Sequence, residues 1–534
     1  MTQENKQSLI VGALTSSFGI FISKALGLLY ASPLSIMATE SNMVFYGNAY
    51  SVYDIILNIF TAGIPFAVAT MIAKYSSQYN YKTVLLINRI SKFILIVSGL
   101  IAALLLLIFS TPLSVFILGK NAFESDITIQ RNTFMILALA LATVPLLSGS
   151  RSFLQGFKEM KIYSFTQVLE QFIRVFFLLI ASFVLIYIFK FDREYAIYMG
   201  ILAASVAALA TYLYLYKKTK IRLLELKRLA SIQIDEPITK EKLFKELMYF
   251  GLPYLFIILL GNSTNIVNSL FFLPTMVFSD IPYEEAKLML GIIQFNVVKI
   301  NSIPQTLALG FSAGMVPYMT ISLEKRKFKT LRKNIIEILE TVLYIVIPLS
   351  CCLIVLAKPI YSLMYGNDNI DLGTSILAYS SVFSLLGTIS PICSSIILNL
   401  RMRKKVIMYL AITFMTKLIT FFPLVYLLDY KGVILSSIIS TVVSITLCLV
   451  TIKKQYKVNF TPLLLRIVIM IIGVISMNGM FSLLDIFITI NIENKLILFS
   501  QLALYGVLGF IAYYMTTYLF RIPQKIYKKA MRSR

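Results

Sequence analysis

Long apolar stretches separated by short polar connections run the length of the chain, at residues 9–36, 45–73, 91–112, 132–154, 162–189, 195–216, 247–273, 288–320, 335–357, 372–400, 406–428, 432–452, 463–487 and 495–520. Each reaches or approaches the about 20 residues that a helix needs to cross a bilayer. Their polar residues recur at helical rather than alternating spacing, so one face of each helix avoids lipid. The pattern predicts an all-α polytopic membrane protein with about 14 transmembrane helices.

Composition agrees. Of 534 residues, 58% are hydrophobic and 14% charged, where soluble domains carry about 25% charged residues. Histidine is absent, which excludes Ser-His-Asp, Cys-His, zinc-His and haem-His chemistry. Tryptophan is absent too, leaving 31 Tyr and 38 Phe to build the membrane-interface belts. Cys351, Cys352, Cys393 and Cys448 all fall inside predicted spans, so neither a disulfide framework nor a metal site is expected.

The net charge of +24 would suit nucleic acid, but its distribution argues for a membrane. Alternate connections, counted with both termini, hold 36 Lys and Arg, and the opposite set holds 7. The positive-inside rule then places both termini in the cytoplasm of a multi-pass cell-membrane protein. The opening MTQENKQ is short and balanced in charge, and the apolar run after it is too long for a signal peptide.

Six basic residues lie within or at the edge of spans: Lys24, Arg131, Arg174, Lys299, Lys417 and Arg466. A weak internal repeat relates Ala62-Gly63-Ile64-Pro65 to Ala313-Gly314-Met315-Val316-Pro317, each closing a polar-striped span before a basic loop. Two pseudo-symmetric six-helix lobes with a C-terminal helix pair account for it. The expected organisation is an N-lobe at 1–217, a cytoplasmic connector at 218–246 and a C-lobe at 247–452. Helices 13–14 and a basic cytoplasmic tail occupy 453–534.

The stripes carry the candidate chemistry. Gly12, Ser16, Gly19, Ser23 and Gly27 form a small-residue packing face in span one. Lys24 lies beside it near mid-membrane, where a lysine costs about 2.5–3.5 kcal/mol on insertion scales. Asp54 of span two or Glu170 of span five could neutralise it. Glu170 and Arg174 stand four residues apart in the favourable order for an intrahelical pair, so a structural salt bridge and a ligand site both remain open. Lys299 has Asn296, Ser302 and Thr306 around it and no acid at helical spacing. Lys417 is flanked by Thr413 and Thr420, and Asn262, Asn265 and Ser269 form an uncharged stripe in span seven. Arg131 and Arg466 read as headgroup anchors.

The deep cations Lys24, Arg174, Lys299 and Lys417 outnumber Asp54 and Glu170. Surplus positive charge in a membrane cavity suits an anionic ligand such as a phosphate or pyrophosphate head.

The segments Ser23-Lys24-Ala25-Leu26-Gly27-Leu28-Leu29-Tyr30, Gly47-Asn48-Ala49-Tyr50, Thr61-Ala62-Gly63-Ile64-Pro65, Arg151-Ser152-Phe153-Leu154-Gln155-Gly156 and Gln167 to Arg174 carry a resemblance. The chain resembles the polysaccharide-transporter and MurJ-like branch of the multidrug/oligosaccharidyl-lipid/polysaccharide (MOP) flippases, of the Gram-positive lipid II flippase or stage V sporulation protein B type. The resemblance implies a central cavity opened alternately to each side and a groove for a polyprenyl tail along spans thirteen and fourteen. It implies that Lys24 and Lys299 line the cavity. The substrate it implies is an undecaprenyl-pyrophosphate glycolipid, above all the peptidoglycan precursor lipid II. Tyr30 stands where relatives often have a second arginine, and lysine stands where arginine is common, which weakens bidentate phosphate clamping.

In the resulting expectation Lys24, Arg174 and Lys299 hold the phosphates, the Asn/Ser/Thr stripes hold the sugars, and the protein works as a monomer. No nucleotide-binding GxxxxGK[ST] loop is present, and no cofactor is expected. Coupling to the membrane potential or to Na+ or H+ stays open. A MATE-like drug antiporter would depend on Asp54 or Glu170 instead. A membrane enzyme would need a catalytic acid near an outer loop, and a scaffold would leave the deep cations unexplained. Capsular, teichoic or spore-cortex lipid intermediates are the other substrates to weigh.

Overall fold

The computed structural model describes residues 22–524 except 62, 120, 158, 235, 307–318, 320, 321 and 324. Gly12, Ser16 and Gly19, and the second copy of the repeat from Ala313 to Pro317, therefore lie outside the described residues. Helices dominate and no strand occurs among the described residues. Ten helices are long and apolar enough to cross a membrane, or eleven if the bent pair Met43–Phe60 and Gly63–Ser77 is one span. The protein is a multi-pass membrane protein.

The chain forms two compact units, residues 1–295 and 296–534. In the first, α1 (Ile22–Ala38) is followed by α2 (Met43–Thr61), α3 (Gly63–Ser77), α4 (Tyr81–Leu118), α5 (Glu124–Gly156), α6 (Met160–Phe183) and α7 (Glu194–Ile232). Next come α8 (Lys240–Gly261), α9 (Ser263–Phe278) and α10 (Tyr283–Gly291), which runs into a π-helical turn at Ile292–Val297. Helices α4, α5 and α7 pack side by side, with α6 on α7 and α3 between α5 and α8.

Local sequence explains the ends. The Asn80 side chain accepts the Thr83 amide at 3.1 Å and caps α4. Along α4 the polarity is inverted relative to a soluble helix. Ser91, Ser110 and Ser114 are buried, while Leu104, Ile108 and Phe109 are exposed. Small polar residues let helices approach, and the large apolar ones meet lipid tails.

The predicted connector proves to be largely a continuation of α7, which runs without interruption to Ile232. At 39 residues it is longer than a membrane crossing requires. Leu215 and Leu226 join Tyr75, Val84, Ile87, Leu243 and Leu247 in an apolar cluster. Around that cluster, Gln233 donates to Asn80 Oδ1 and accepts the Lys82 amide, both at 3.0 Å. Lys74 Nζ and the Tyr75 hydroxyl each reach Glu246 at 2.6 Å. Gly63 is required here: a Cβ on it would fall 2.1 Å from the Gly251 carbonyl oxygen.

The second unit contains a helical stretch through 298–306, then α11 (Phe328–Val355), α12 (Ala357–Tyr365), α13 (Ile370–Asn399), α14 (Arg403–Tyr456), α15 (Thr461–Phe487) and α16 (Lys495–Leu519). Helix α14 is two arms that fold back on each other. Asp429 breaks it with φ 52° and ψ −136°. Tyr409 and Thr451 share a hydrogen bond at 2.5 Å, although 42 residues separate them. A straight helix would put them about 60 Å apart. Gly432 permits the reversal, since a Cβ there would sit 2.0 Å from the Leu424 carbonyl oxygen. Helices α15 and α16 pair with each other and lean on α11, where Arg466 is ion-paired to Glu340. That pairing corrects the reading of Arg466 as a headgroup anchor.

Candidate functional site

Three charged side chains converge in the first unit. Helix α6 presents Glu170 and Arg174 on one face, and Arg174 Nη2 lies 2.8 Å from Glu170 Oε1. From α5, Arg151 Nη1 reaches Glu170 Oε2 at 2.7 Å. The rest of that guanidinium is held by Thr166, whose hydroxyl and carbonyl accept at 3.1 and 2.6 Å. Glu170 is thus shared by two guanidinium groups and keeps only 14% of its side-chain exposure. Two cations on one carboxylate leave a net positive charge.

Arg174 is not fully used by this arrangement. Its Nε is buried and has no hydrogen-bond partner, a costly condition that singles out a group for a role beyond packing. On α2 the Tyr46 and Tyr50 rings lie 4.6 Å apart. Asp54, also on α2, is exposed and is attracted by the Arg174 charge.

Helix α1 seats on the same face of α6. The Ser23 hydroxyl donates to the Gln167 carbonyl at 3.3 Å, and Gly27 faces the Gln171 amide. These contacts flank Glu170 in sequence and bring α1 to the cluster. Lys24 is exposed on α1, and among the described residues no acid lies within ion-pair distance of it. Glu170 does not neutralise it, because both guanidinium groups already claim that carboxylate.

The structure thus brings Glu170 and Arg174 together, places Asp54 within the field of Arg174, and sets Lys24 on the adjoining helix. Sequence reasoning missed Arg151, which lies near the end of the span at 132–154. Helix α5 continues through it to Gly156 and carries Arg151 to Glu170. Its place at the end of an apolar stretch facing a glutamate-bearing span was the available signal.

The other candidates divide. Asn262 occupies the break between α8 and α9, and Asn265 is exposed one turn on. Ser269 accepts a hydrogen bond from Gln294 Nε2 at 3.0 Å. In the second unit Lys299 is half-buried, and Ser302 donates to its carbonyl at 2.7 Å. Asn301, two residues on, ties this helix to α13 through Ser380, Ser381 and Ser384.

Two candidates are corrected. Asn296 is fully buried and donates to the Tyr361 hydroxyl at 3.0 Å, while its carbonyl accepts from Tyr365. The π-helical turn frees that carbonyl, and α12 satisfies it. Lys417 is also fully buried, with its Nζ within hydrogen-bond distance of three oxygens of its own hairpin. Neither side chain is available to line a cavity.

Arg131, read as an anchor, lies in α5 with its Nε buried and unpartnered. Near it an unexpected charged pair is buried: Asp126 of α5 and Lys287 of α10, 2.6 Å apart. The Tyr283 hydroxyl donates to the same Asp126 oxygen at 3.0 Å. Burial, reinforced by the carboxylate, raises the phenol's pKa and keeps it a donor.

The chain is similar to known proteins in sequence and in fold. The family described as polysaccharide biosynthesis protein matches residues 9–320. Lipid II flippase MurJ of Bacillus subtilis (strain 168) is 28% identical over 471 residues, which cover 87% of this chain and 86% of that protein. A solved structure of lipid II flippase MurJ in an inward closed conformation superposes with a TM-score of 0.66 at 16% identity, covering 95% of this chain and 98% of that one. An inward-facing multidrug resistance MATE family transporter of the MOP superfamily gives 0.63 at 14% identity, covering 84% and 99%. The structural likenesses establish the fold.

Proposed function

The chain belongs to the polysaccharide biosynthesis protein family, and from that premise we propose that it is a lipid-linked saccharide flippase. It carries an undecaprenyl-pyrophosphate glycolipid, lipid II foremost, from the inner to the outer leaflet by alternating access. It is a transporter and no covalent step is required. The relative that is similar along most of the chain is a lipid II flippase, which supports this substrate class.

The observation that carries the reading is the net positive cluster of the first unit. Arg151 and Arg174 share one carboxylate, Arg174 keeps an unsatisfied buried donor, and Lys24 has no acid partner. A pyrophosphate supplies the acceptor oxygens these groups lack, in a setting where charge-assisted bonds are strong. The exposed Asn265 of α9 offers hydrogen bonds to sugar.

Export needs no nucleotide in this scheme. Moving an anionic head outward through an inside-negative potential is favourable by about 2.3 kcal/mol per charge per 100 mV. Both termini face the cytoplasm, the protein acts as a monomer, and the surrounding lipids and the polyprenyl tail are its other partners.

A MATE-like antiporter is the second reading, favoured by the exposed Asp54 carboxylate. Proteoliposomes separate the two. Lys24→Gln, Arg174→Gln and Lys299→Gln are expected to abolish glycolipid translocation in folded protein, with Asp54→Asn retaining it. Loss confined to Asp54→Asn, together with cationic drug efflux, would replace the flippase reading with the antiporter.

A further inference from the structure

The hairpin of α14 holds the Lys417 nitrogen of one arm among oxygens of the other. Lys417 Nζ, in the first arm, lies 2.7 Å from Ser436 Oγ, 2.8 Å from Ser437 Oγ and 3.1 Å from the Val433 carbonyl oxygen, all in the second arm. The Phe421 ring centroid is 5.0 Å away. Lys417, Ser436 and Phe421 are completely buried and Ser437 nearly so. Among the described residues no carboxylate pairs with Lys417.

The hydroxyl geometry fixes how the nitrogen is held. Ser436 Oγ and Ser437 Oγ also lie 2.9 and 2.8 Å from the Val433 carbonyl oxygen. That oxygen is an acceptor only, so each hydroxyl is placed to donate to it and to turn a lone pair toward the Lys417 nitrogen. Three oxygens and an aromatic face surround the nitrogen, a setting that suits a small cation.

One carbonyl and two oriented hydroxyls beside a helix break are the ligands that small monovalent ions take inside membrane proteins. We propose that Val433, Ser436 and Ser437 form a monovalent-cation site which the chain fills permanently with its own Lys417 ammonium. A tethered cation cannot dissociate, so this site does not respond to Na+ or K+. Removing the side chain converts it into one that binds a free ion.

The test uses the purified full-length protein without substrate, so its outcome is independent of the transport reading. Thermal unfolding is followed in sodium, potassium, ammonium or methylammonium chloride, with N-methyl-D-glucamine chloride at equal ionic strength as the reference. Wild type is expected to give one Tm in all five salts. Lys417→Ala is expected to unfold lower in N-methyl-D-glucamine and to recover saturably with at least one small cation, by about 2 °C or more. If the variant does not fold in the reference salt, preparation in a small-cation salt is expected to return folded protein. Adding Ser437→Ala should remove the recovery. A Lys417→Ala protein that behaves alike in all salts, or folds in none, overturns the proposal. So does a wild type with the same salt-specific rise.

Discussion

Lys287 Nζ and Asp126 Oδ2 lie 2.6 Å apart with their side chains only 6% and 7% exposed, so α10 is fastened to the first turn of α5 by a buried ion pair. Lys287 also lies 5.2 Å from the Phe45 ring centroid of α2. Removing Lys287 strands the Asp126 charge, which costs about 3–5 kcal/mol in such settings, whereas removing Asp126 leaves the buried Lys287 only the more distant Glu284 at 3.5 Å. Asp126→Asn and Lys287→Met are each expected to lower unfolding stability strongly. The double variant should lose much less than the sum, as read from a double-mutant cycle in detergent.

Arg151 is expected to act through Glu170. When Arg151 is lost, Glu170 pairs with Arg174 alone and cancels the charge that the anionic head requires. Arg151→Gln should reduce glycolipid translocation about tenfold, equivalent to about 1.4 kcal/mol, and Arg151→Lys should recover part of it. Adding Glu170→Gln to Arg151→Gln should restore transport. A merely structural arginine would give no such recovery.

The crossing of α3 and α8 predicts an asymmetry. A Cβ on Gly63 would fall 2.1 Å from the Gly251 carbonyl oxygen, whereas one on Gly251 would meet Gly63 at 3.4 Å, an ordinary contact. Gly63→Ala is therefore expected to destabilise by about 1–3 kcal/mol, the range for overpacking. Gly251→Ala should be tolerated. Parallel thermal melts of the two variants check this.

The membrane-spanning helices were legible because the lipid-facing side imposes a one-dimensional pattern, and α4, α6, α13 and α15 follow it closely. The pairing of Glu170 with Arg174 was legible for the same reason, since spacing along one helix determines which side chains meet. Contacts between helices were not. Nothing in the local pattern says that Arg151 turns toward Glu170, or that Lys287, apparently in an outer loop, is buried against Asp126. Lys417 shows the limit most clearly. Its depth was readable, but its three acceptors belong to the other arm of a hairpin, brought close only by the break at Asp429.

The central claim is that an anionic lipid-linked sugar is handed outward by cations of the membrane interior. Depleting the protein from growing cells and labelling lipid-linked saccharides leaflet by leaflet tests it most directly. An undecaprenyl-pyrophosphate glycolipid is expected to accumulate on the inner leaflet, with relief by wild type and Asp54→Asn but not by Lys24→Gln or Arg174→Gln. Unchanged distribution of every such lipid, with heightened sensitivity to cationic drugs, would contradict it.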